Sequence, residues 1–116
     1  MRRRRISAAQ IYKKCAVAES DCYSDDMRIV APQAADELLG IDGVDGSFVL
    51  YEKDGTISIS ARSMGAINVQ IIMESLGGGG HQTMAATQIR GVEMEKVKQQ
   101  LLEAIDKYYE THPQSS

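Results

Sequence analysis

The chain has 116 residues, of which 43% are hydrophobic, and its formal net charge at pH 7 is −3. This length suits one compact domain, and the apolar content excludes a disordered segment. The acidic balance excludes a protein that attracts nucleic acid over its whole surface, so any nucleotide must be bound by a local site.

A basic cluster, Arg2 to Arg5, stands near the start of the chain. It predicts a solvated tail or linker over residues 1–9, and a nucleic-acid or membrane-surface arm is the alternative. No apolar run approaches the roughly 20 residues that cross a bilayer. No apolar segment follows the arginines either, so they do not resemble a secretory signal. We therefore expect the folded domain over residues 10–110.

The segment that follows fits either a strand or the end of a helix that starts at Ser7. We favour a strand around Lys13–Glu19, because Cys15 and Val17 can form an apolar strand face with Tyr12 before them. Cys15 and Cys22 are seven residues apart, which is neither a redox CxxC spacing nor a zinc spacing. We expect both to be reduced thiols, as in a cytoplasmic protein.

The acidic stretch from Ser20 to Asp26 lacks the spacing of a calcium loop and predicts a solvated loop that ends in a helix cap. A helix is predicted over Ala31–Leu39. Pro32 fits its first turn, and Gly40 fits the C′ position after its end. A start near residue 25 is the alternative, but it would place Pro32 inside the helix.

The clearest element is a β-hairpin over Ser47–Arg62, because two strand-like runs flank Asp54-Gly55, the sequence of a type I′ turn. A two-residue loop pairs Lys53 with Thr56 and, counted outward, Ser47 with Arg62. One face of the hairpin is apolar and must enter the core; it carries Phe48, Leu50, Ile57, Ile59 and Ala61. The other face is either ordinary sheet surface or a ligand-facing surface; it carries Ser47, Val49, Tyr51, Ser58, Ser60 and Arg62.

Two further helices are predicted in the second half of the chain. Asn68 can cap a helix over Val69–Leu76, which the glycines after it stop. Val92–Tyr109 has apolar residues at three- and four-residue steps, typical of an amphipathic helix that packs on a core. Between them, Thr87–Arg90 predicts a short strand, and residues 111–116 are expected to fray. Together these elements predict a single small α/β domain: a mixed β-sheet containing an antiparallel hairpin, with helices packed on one or both faces.

The run Gly77-Gly78-Gly79-Gly80-His81 is the most informative motif. Successive glycines let main-chain N–H groups approach a ligand closely, and such groups bind anions. The imidazole adds a further donor. We therefore predict a phosphate clamp built from the amides of Gly78, Gly79 and Gly80 and the His81 ring. A simple turn is the alternative, because the run is neither GxGxxG nor a P-loop.

Arg62 and Ser63 are the other candidate binding residues. A guanidinium can bond phosphate through two N–H groups, and Ser63 offers a hydroxyl and an N–H. The segment after them leads to the helix that precedes the glycine run, so we expect both motifs to share one cleft. The alternative for Arg62 is a solvated charge at a strand end.

The sequence contains no Asp-His-His, HxH or HExxH motif, and its two histidines, His81 and His112, do not predict a metal cage. It also contains no nucleophile elbow and no lysine-bearing phosphate loop. We therefore predict neither catalytic residues nor metal ligands in these 116 residues.

Several segments together resemble a known family. They are Ala34-Ala35-Asp36, Ser47-Phe48-Val49-Leu50, the stretch from Arg62-Ser63-Met64-Gly65 through Asn68-Val69-Gln70, Ile72-Met73-Glu74-Ser75-Leu76, the glycine run with His81, and Ala85-Ala86. This pattern resembles the C-terminal, DHH-associated domain of the DHH phosphoesterases. The likeness extends over roughly residues 10–110 and is closest to the membrane-anchored cyclic-di-AMP phosphodiesterases.

The resemblance implies a two-domain phosphodiesterase. An N-terminal DHH domain would hold manganese, and the smaller domain would grip a cyclic dinucleotide or a short oligonucleotide against it. Substrate binding would fall to Arg62, Ser63, Gly78–Gly80 and His81, with no metal in this chain. The fragment alone is expected to be inactive, and the parent protein is expected on the cytoplasmic side of a membrane. One departure is Thr87 after Ala85-Ala86, where many members have glycine; its side chain would narrow the pocket or contact the ligand.

Two other functions stay open at this point. A related domain is appended to alanyl-tRNA synthetases, so a nucleic-acid-binding module without hydrolysis is one of them, although the acidic balance argues against it. The other is a structural or homodimerisation domain that uses the C-terminal helix as its interface.

Overall fold

The computed structural model describes residues 9–20 and 27–113. Within them, six strands form one mixed sheet in the order β1-β2-β3-β4-β6-β5. The strands are β1 (Gln10–Tyr12), β2 (Cys15–Ser20), β3 (Gly46–Lys53), β4 (Thr56–Ser63), β5 (Gly79–His81) and β6 (Met84–Arg90), and the helices are α1 (Met27–Leu38), α2 (Val69–Glu74) and α3 (Met94–Thr111). The β2–β3 pair is parallel, and the other pairs are antiparallel. The predicted α/β fold class is confirmed.

Residues 10–20 form a β-hairpin, so for them the strand interpretation is correct and the helical one is wrong. The sequence-based prediction missed β1, because the turn between β1 and β2 is made by Lys13 and Lys14 with φ of 48° and 68°. Lysine seldom adopts positive φ. Contacts with distant segments hold the turn: Lys13 Nζ lies 2.8 Å from an oxygen of Asp106, and the Asp45 N–H donates to the Lys14 carbonyl at 2.7 Å.

Within the described residues, helix α1 runs from Met27 and contains Pro32, so the predicted start at Ala31 is wrong and the alternative of an earlier start, with Pro32 inside the helix, is correct. Pro32 removes one helical hydrogen bond. That loss is offset because an apolar face of α1, including Met27 and Ala35, is buried against β3. The helix also ends without a left-handed glycine: Gly40 lacks positive φ and donates to the Glu37 carbonyl at 3.0 Å. The predicted loop over residues 21–26, with Cys22, lies outside the described residues.

The central hairpin is confirmed in detail. Asp54 and Gly55 have φ of 54° and 78°, as a type I′ turn requires, and Lys53 pairs with Thr56 and Ser47 with Arg62. The apolar face packs under α2 and α3; its residues Phe48, Leu50, Ile57, Ile59 and Ala61 are fully buried. The other face is not simply surface, because α1 covers its β3 half and leaves its β4 half partly open.

The C-terminal helix belongs to the core. Val97, Leu101, Ile105 and Tyr108 are buried in one cluster with the apolar hairpin face. The Tyr108 hydroxyl also accepts a hydrogen bond from the Asn68 N–H at 2.9 Å, which fixes the start of α2. The apolar stripe of this helix is therefore used inside the domain, as its periodicity predicts. Residues 114–116 lie outside the described residues.

Helix α2 begins as predicted and ends earlier. The Asn68 side chain accepts hydrogen bonds from the N–H groups of Gln70 and Ile71, so the predicted cap is confirmed. The regular helix stops at Glu74 rather than Leu76. Gly77, with φ of 90°, then donates to the Glu74 carbonyl, and the next amide donates to the Met73 carbonyl. These two bonds form a Schellman-type helix end.

The glycine run continues into β5, which pairs with β6 through Gly79–Ala86, Gly80–Ala85 and His81–Met84. This strand was not predicted from sequence, and β6 starts at Met84 rather than at the predicted Thr87. Glycine has no β-propensity, so the strand exists only because β6 is placed beside it. Strand β5 forms one edge of the sheet.

Candidate functional site

A cleft of about 390 Å³ lies on the sheet face opposite α2 and α3. Helix α1 borders it on one side, and the open part of β4, β6 and β5 forms its floor. Side chains of alternate residues point to the same face of a strand. The floor is therefore made by Ser58, Ser60 and Arg62 of β4, Met84, Ala86 and Gln88 of β6, and Gly79 and His81 of β5.

Arg62 and His81 stand in one row across this floor. Arg62 pairs with Met84 on β6, and Met84 pairs with His81 on β5. Two strand spacings separate the row's outer Cα atoms, which places them about 10 Å apart. The predicted convergence of the two motifs on one cleft is therefore seen for these two residues. The next row is Ser60, Ala86 and Gly79, whose small side chains leave room above the floor.

The Arg62 side chain is oriented by α1. Its Nε lies 3.2 Å from Asp36 Oδ1, and its Nη1 donates to the Ala61 carbonyl at 3.2 Å. The side chain is only 13% exposed. Its Nη2 has no hydrogen bond to any part of the chain that the structure describes. The guanidinium is thus held in place with donor capacity remaining.

Asp36 was not recognised as a site residue from sequence. It belongs to a stripe at four-residue spacing on α1 with Arg28 and Pro32, and those two line the cleft. The stripe becomes visible only when the helix is extended back to Met27. With the favoured start at Ala31, Arg28 lies before the helix, and only the alternative start near residue 25 includes it.

His81 is exposed at the end of β5, and its position is fixed by main-chain bonds of the turn that follows. The Gln82 carbonyl accepts from the Val69 N–H, and the Thr83 carbonyl accepts from the Ser63 N–H, each at 3.0 Å. The turn is thereby joined to the start of α2 and the end of β4. The backbone that carries His81 is therefore tied to the sheet at the edge of the cleft.

The four glycines have different roles. A Cβ on Gly78 would collide with the Ala86 carbonyl and Thr87, and a Cβ on Gly80 would collide with the backbone of β6. Gly80 also has φ of 144°. A Cβ on Gly79 would meet nothing within 4 Å, and Gly79 and Gly80 line the cleft. Two of the glycines are therefore required by close packing of β6, whether or not a ligand binds.

Two predicted binding groups are engaged elsewhere. The Gly78 N–H donates to the Met73 carbonyl at 2.8 Å, so this amide belongs to the helix end. The Ser63 hydroxyl donates to the Ile67 carbonyl at 2.7 Å and accepts from the Gly65 N–H at 2.8 Å. Ser63 is buried and follows Arg62 in β4, so its side chain points to the other face of the sheet. Gly78 and Ser63 shape the loops around the site and do not line the cleft.

Thr87 also differs from the expectation. It pairs with Ile59, so its side chain lies on the core face, where it is 3% exposed. Its hydroxyl donates to the Leu76 carbonyl at 3.0 Å. Thr87 is therefore among the residues that border the cleft, but its side chain lies on the core face and ties β6 to the turn that leads into the glycine run.

Within residues 9–20 and 27–113, no group of three or more His, Cys, Asp or Glu side chains is arranged to hold a metal ion. In the same part of the chain, no helix combines the length and the apolar character needed to cross a bilayer. Among the described residues, Arg62 and His81 are therefore the titratable predicted groups that line the cleft, and they are not accompanied by a metal-binding cluster.

A family model described as "DHHA1 domain" matches residues 12–111. The chain belongs to the DHHA1 family. The cyclic-di-AMP phosphodiesterase PdeA of Listeria monocytogenes is 44% identical over 110 residues, which are 93% of this chain and 17% of that protein. The cyclic-di-AMP phosphodiesterase GdpP of Geobacillus thermodenitrificans is 49% identical over 96 residues, 82% of this chain and 15% of that protein. The DHHA1 domain thus spans about a sixth of the length of these relatives.

A solved structure supports the fold. An exopolyphosphatase-related protein from Bacteroides fragilis superposes with a TM-score of 0.75 and 22% identity, over 90% of this chain and 33% of that one. At this identity the likeness concerns the fold alone. The DHHA1 domain is therefore related by sequence to phosphodiesterases and shares its architecture with part of a larger protein.

Proposed function

We propose that this DHHA1 domain is the substrate-binding part of a DHH-family phosphodiesterase. It holds a phosphate of cyclic-di-AMP, or of a short oligonucleotide, between Arg62 and His81. The observation that carries the proposal is the row Arg62–Met84–His81, which places two donors on either side of one open cleft. The relatives' activity on cyclic-di-AMP supports the choice of ligand.

Each group has a definite part in binding. Arg62 supplies a fixed positive charge and bonds a phosphate oxygen through its remaining N–H groups, and Asp36 keeps the guanidinium aimed at the cleft. His81 donates from the opposite side through its imidazole. Gly79 lets the ligand approach the main chain because no side chain stands there.

In this proposal, the residues of this chain bind the substrate, and another domain of the parent protein hydrolyses it. A DHH domain of the same parent protein would supply manganese, whose chemistry is to activate water and stabilise charge on phosphorus. The DHHA1 domain would hold the substrate against the metal centre of the DHH domain, so that the substrate lies between the two domains. The parent's placement at a membrane, and its cytoplasmic orientation, are part of the same proposal.

The test is an NMR titration of the ¹⁵N-labelled chain with cyclic-di-AMP, pApA and AMP in metal-free buffer. We expect saturable shifts of the Arg62 and Gly79–His81 amides. Arg62→Gln and His81→Gln should each weaken binding about fivefold or more. Lys107→Gln changes an exposed residue of α3, on the far face of the sheet, and is the control that should bind like wild type.

Two results would reject the proposal: no saturable shift at these amides, or equal affinities for wild type and Arg62→Gln. The rival, a general nucleic-acid-binding module, predicts a different result. Its affinity would fall steeply with salt for any nucleic acid, and its shifts would spread over surfaces outside the cleft.

A further inference from the structure

A second cavity, of about 290 Å³, continues the cleft along the same face of the sheet. It shares four residues with the cleft: Arg28, Tyr51, Ser58 and Gln88. Beyond them it is lined by Met27, Lys53, Asp54, Thr56 and Arg90, and we call it the distal pocket. The two cavities therefore form one continuous groove rather than two isolated sites.

The strand register fixes how far apart the two ends of the groove lie. Lys53 pairs with Thr56, and Thr56 pairs with Arg90, so these residues form a row across β3, β4 and β6. Thr56 is six residues before Arg62 on β4 and faces the same side. At 3.3–3.4 Å per residue the two rows are about 20 Å apart.

Among the described residues, the lining of the distal pocket carries more cations than carboxylates, although the chain is acidic overall. Arg28, Lys53 and Arg90 line it together with the carboxylate of Asp54, whereas the net charge of the whole chain is −3. The end of the groove is also well fixed, because the Gly91 N–H donates to the Gly55 carbonyl at 3.1 Å and joins the end of β6 to the β3–β4 turn. Between the two ends the floor carries uncharged polar side chains, Ser58 and Gln88, and Arg28 lines both cavities.

We infer that the distal pocket is a second phosphate-binding subsite. It takes a phosphate of a linear oligonucleotide whose other end is bound by Arg62 and His81. A cyclic dinucleotide keeps its two phosphates within one compact ring, whereas a linear chain of several nucleotides extends along a groove of this length. The inference rests on the proposed function, because it needs the first phosphate to be bound at Arg62.

The experiment compares pApA with the 5′-phosphorylated pentanucleotide pA5 by fluorescence anisotropy in metal-free buffer. Wild type should bind pA5 more tightly than pApA. Arg90→Gln should weaken pA5 binding about fivefold while leaving pApA binding within a factor of about two. The affinity of the same variant for pA5 should also depend less on salt. The magnitude of the negative slope of log affinity against log salt concentration should decrease by about 0.7, the value for one lost phosphate contact with a single strand.

Two controls separate this inference from the proposed function. Arg62→Gln should weaken both ligands, and Lys107→Gln should weaken neither. Because Arg90 is exposed, its replacement is expected to leave the fold intact, and amide spectra of the variant check this. In wild type, the Thr56 and Arg90 amides should shift with pA5 and not with pApA.

The inference is overturned if Arg90→Gln binds pA5 like wild type, or if it weakens both ligands equally. In either case a loss of binding in Arg62→Gln would leave the proposed function standing. If Arg62→Gln binds both ligands like wild type, or if wild type binds neither, the proposed function fails and the inference fails with it.

Discussion

Asp36 and Arg62 join helix α1 to strand β4 through a contact of 3.2 Å between Oδ1 and Nε. The contact uses Nε of the guanidinium, and Nη2 has no hydrogen bond to the part of the chain that the structure describes. Asp36 is 62% exposed while Arg62 is 13% exposed, so the pair is partly screened by water. Its importance is therefore expected to be in orientation more than in stability.

Asp36→Ala should lower the affinity for pApA about threefold, because the Arg62 side chain would sample other rotamers and its guanidinium would no longer be held in one orientation. The melting temperature should change little, since an exposed ion pair contributes about 0–1 kcal/mol. Asp42→Ala, at an exposed loop position, is the matched control. Unchanged affinity in Asp36→Ala, or a loss of stability typical of a core residue, would contradict this role.

Gly78→Ala and Gly79→Ala should behave oppositely although the residues are neighbours. A methyl group on Gly78 would collide with β6, so we expect unfolding to become easier by about 1–3 kcal/mol. A methyl group on Gly79 meets no atom within 4 Å, so stability should hold while ligand affinity falls, because the methyl enters the cleft. Denaturant unfolding and NMR titration of both variants give the comparison; equal stability of the two would refute the packing argument.

Thr87→Val should destabilise the domain without changing ligand binding. It removes the hydroxyl that donates to the Leu76 carbonyl, and the loss of this partly buried hydrogen bond costs about 0.5–1.5 kcal/mol. Thr87→Ser keeps the hydroxyl and should recover part of the loss. A drop in affinity for pApA at full stability would instead show that Thr87 faces the ligand.

Cys15 should be a poor nucleophile in the folded protein. Burial raises the pKa of its thiol from 9.0 to about 11, so little thiolate exists at pH 8. Mass-spectrometric mapping after treatment with iodoacetamide at pH 8 should find Cys15 unmodified until denaturant is added. Rapid modification of native Cys15 would contradict its burial.

The same group makes stability depend on pH. The folded-state pKa is raised, so the folded protein binds more protons than the unfolded chain between about pH 9 and 11, and the free energy of unfolding should fall as pH rises through that window. Burial also raises the pKa of Tyr109, which adds to the fall above pH 10. Cys15→Ala should therefore flatten the profile between about pH 9 and 10, and an unchanged slope there would contradict the assignment.

Cyclic-di-AMP incubated with the pure chain and Mn²⁺ should not be hydrolysed. The described residues contain no cluster able to hold a metal ion, and the site groups we assign bind phosphate without activating water. Chromatography of the nucleotides after long incubation checks this. Metal-dependent turnover that co-purifies with the chain and disappears in Arg62→Gln would contradict the proposal that this chain binds the substrate and a separate DHH domain hydrolyses it.

Short-range patterns were sufficient for much of this fold. The central hairpin follows from Asp54-Gly55 and a period of two, because the turn type sets the register of both strands. Asn68 marks the start of α2 through bonds to residues two and three positions away. The apolar periodicity of α3 likewise identified the side chains that enter the core. In each case the interacting groups are close in sequence.

The remaining features depend on contacts between distant segments. Strand β5 has no propensity of its own and pairs only because β6 lies beside it, and the start of α1 tolerates Pro32 because β3 is there to be covered. Arg62 and His81 were identified from sequence as candidate binding residues. The cleft between them and the contact of Asp36 with Arg62 depend on strand register and helix placement, and so does the orientation of the Ser63 side chain toward the core face. A linear pattern shows which side chains have the right chemistry, whereas packing determines which of their hydrogen bonds are already used inside the protein.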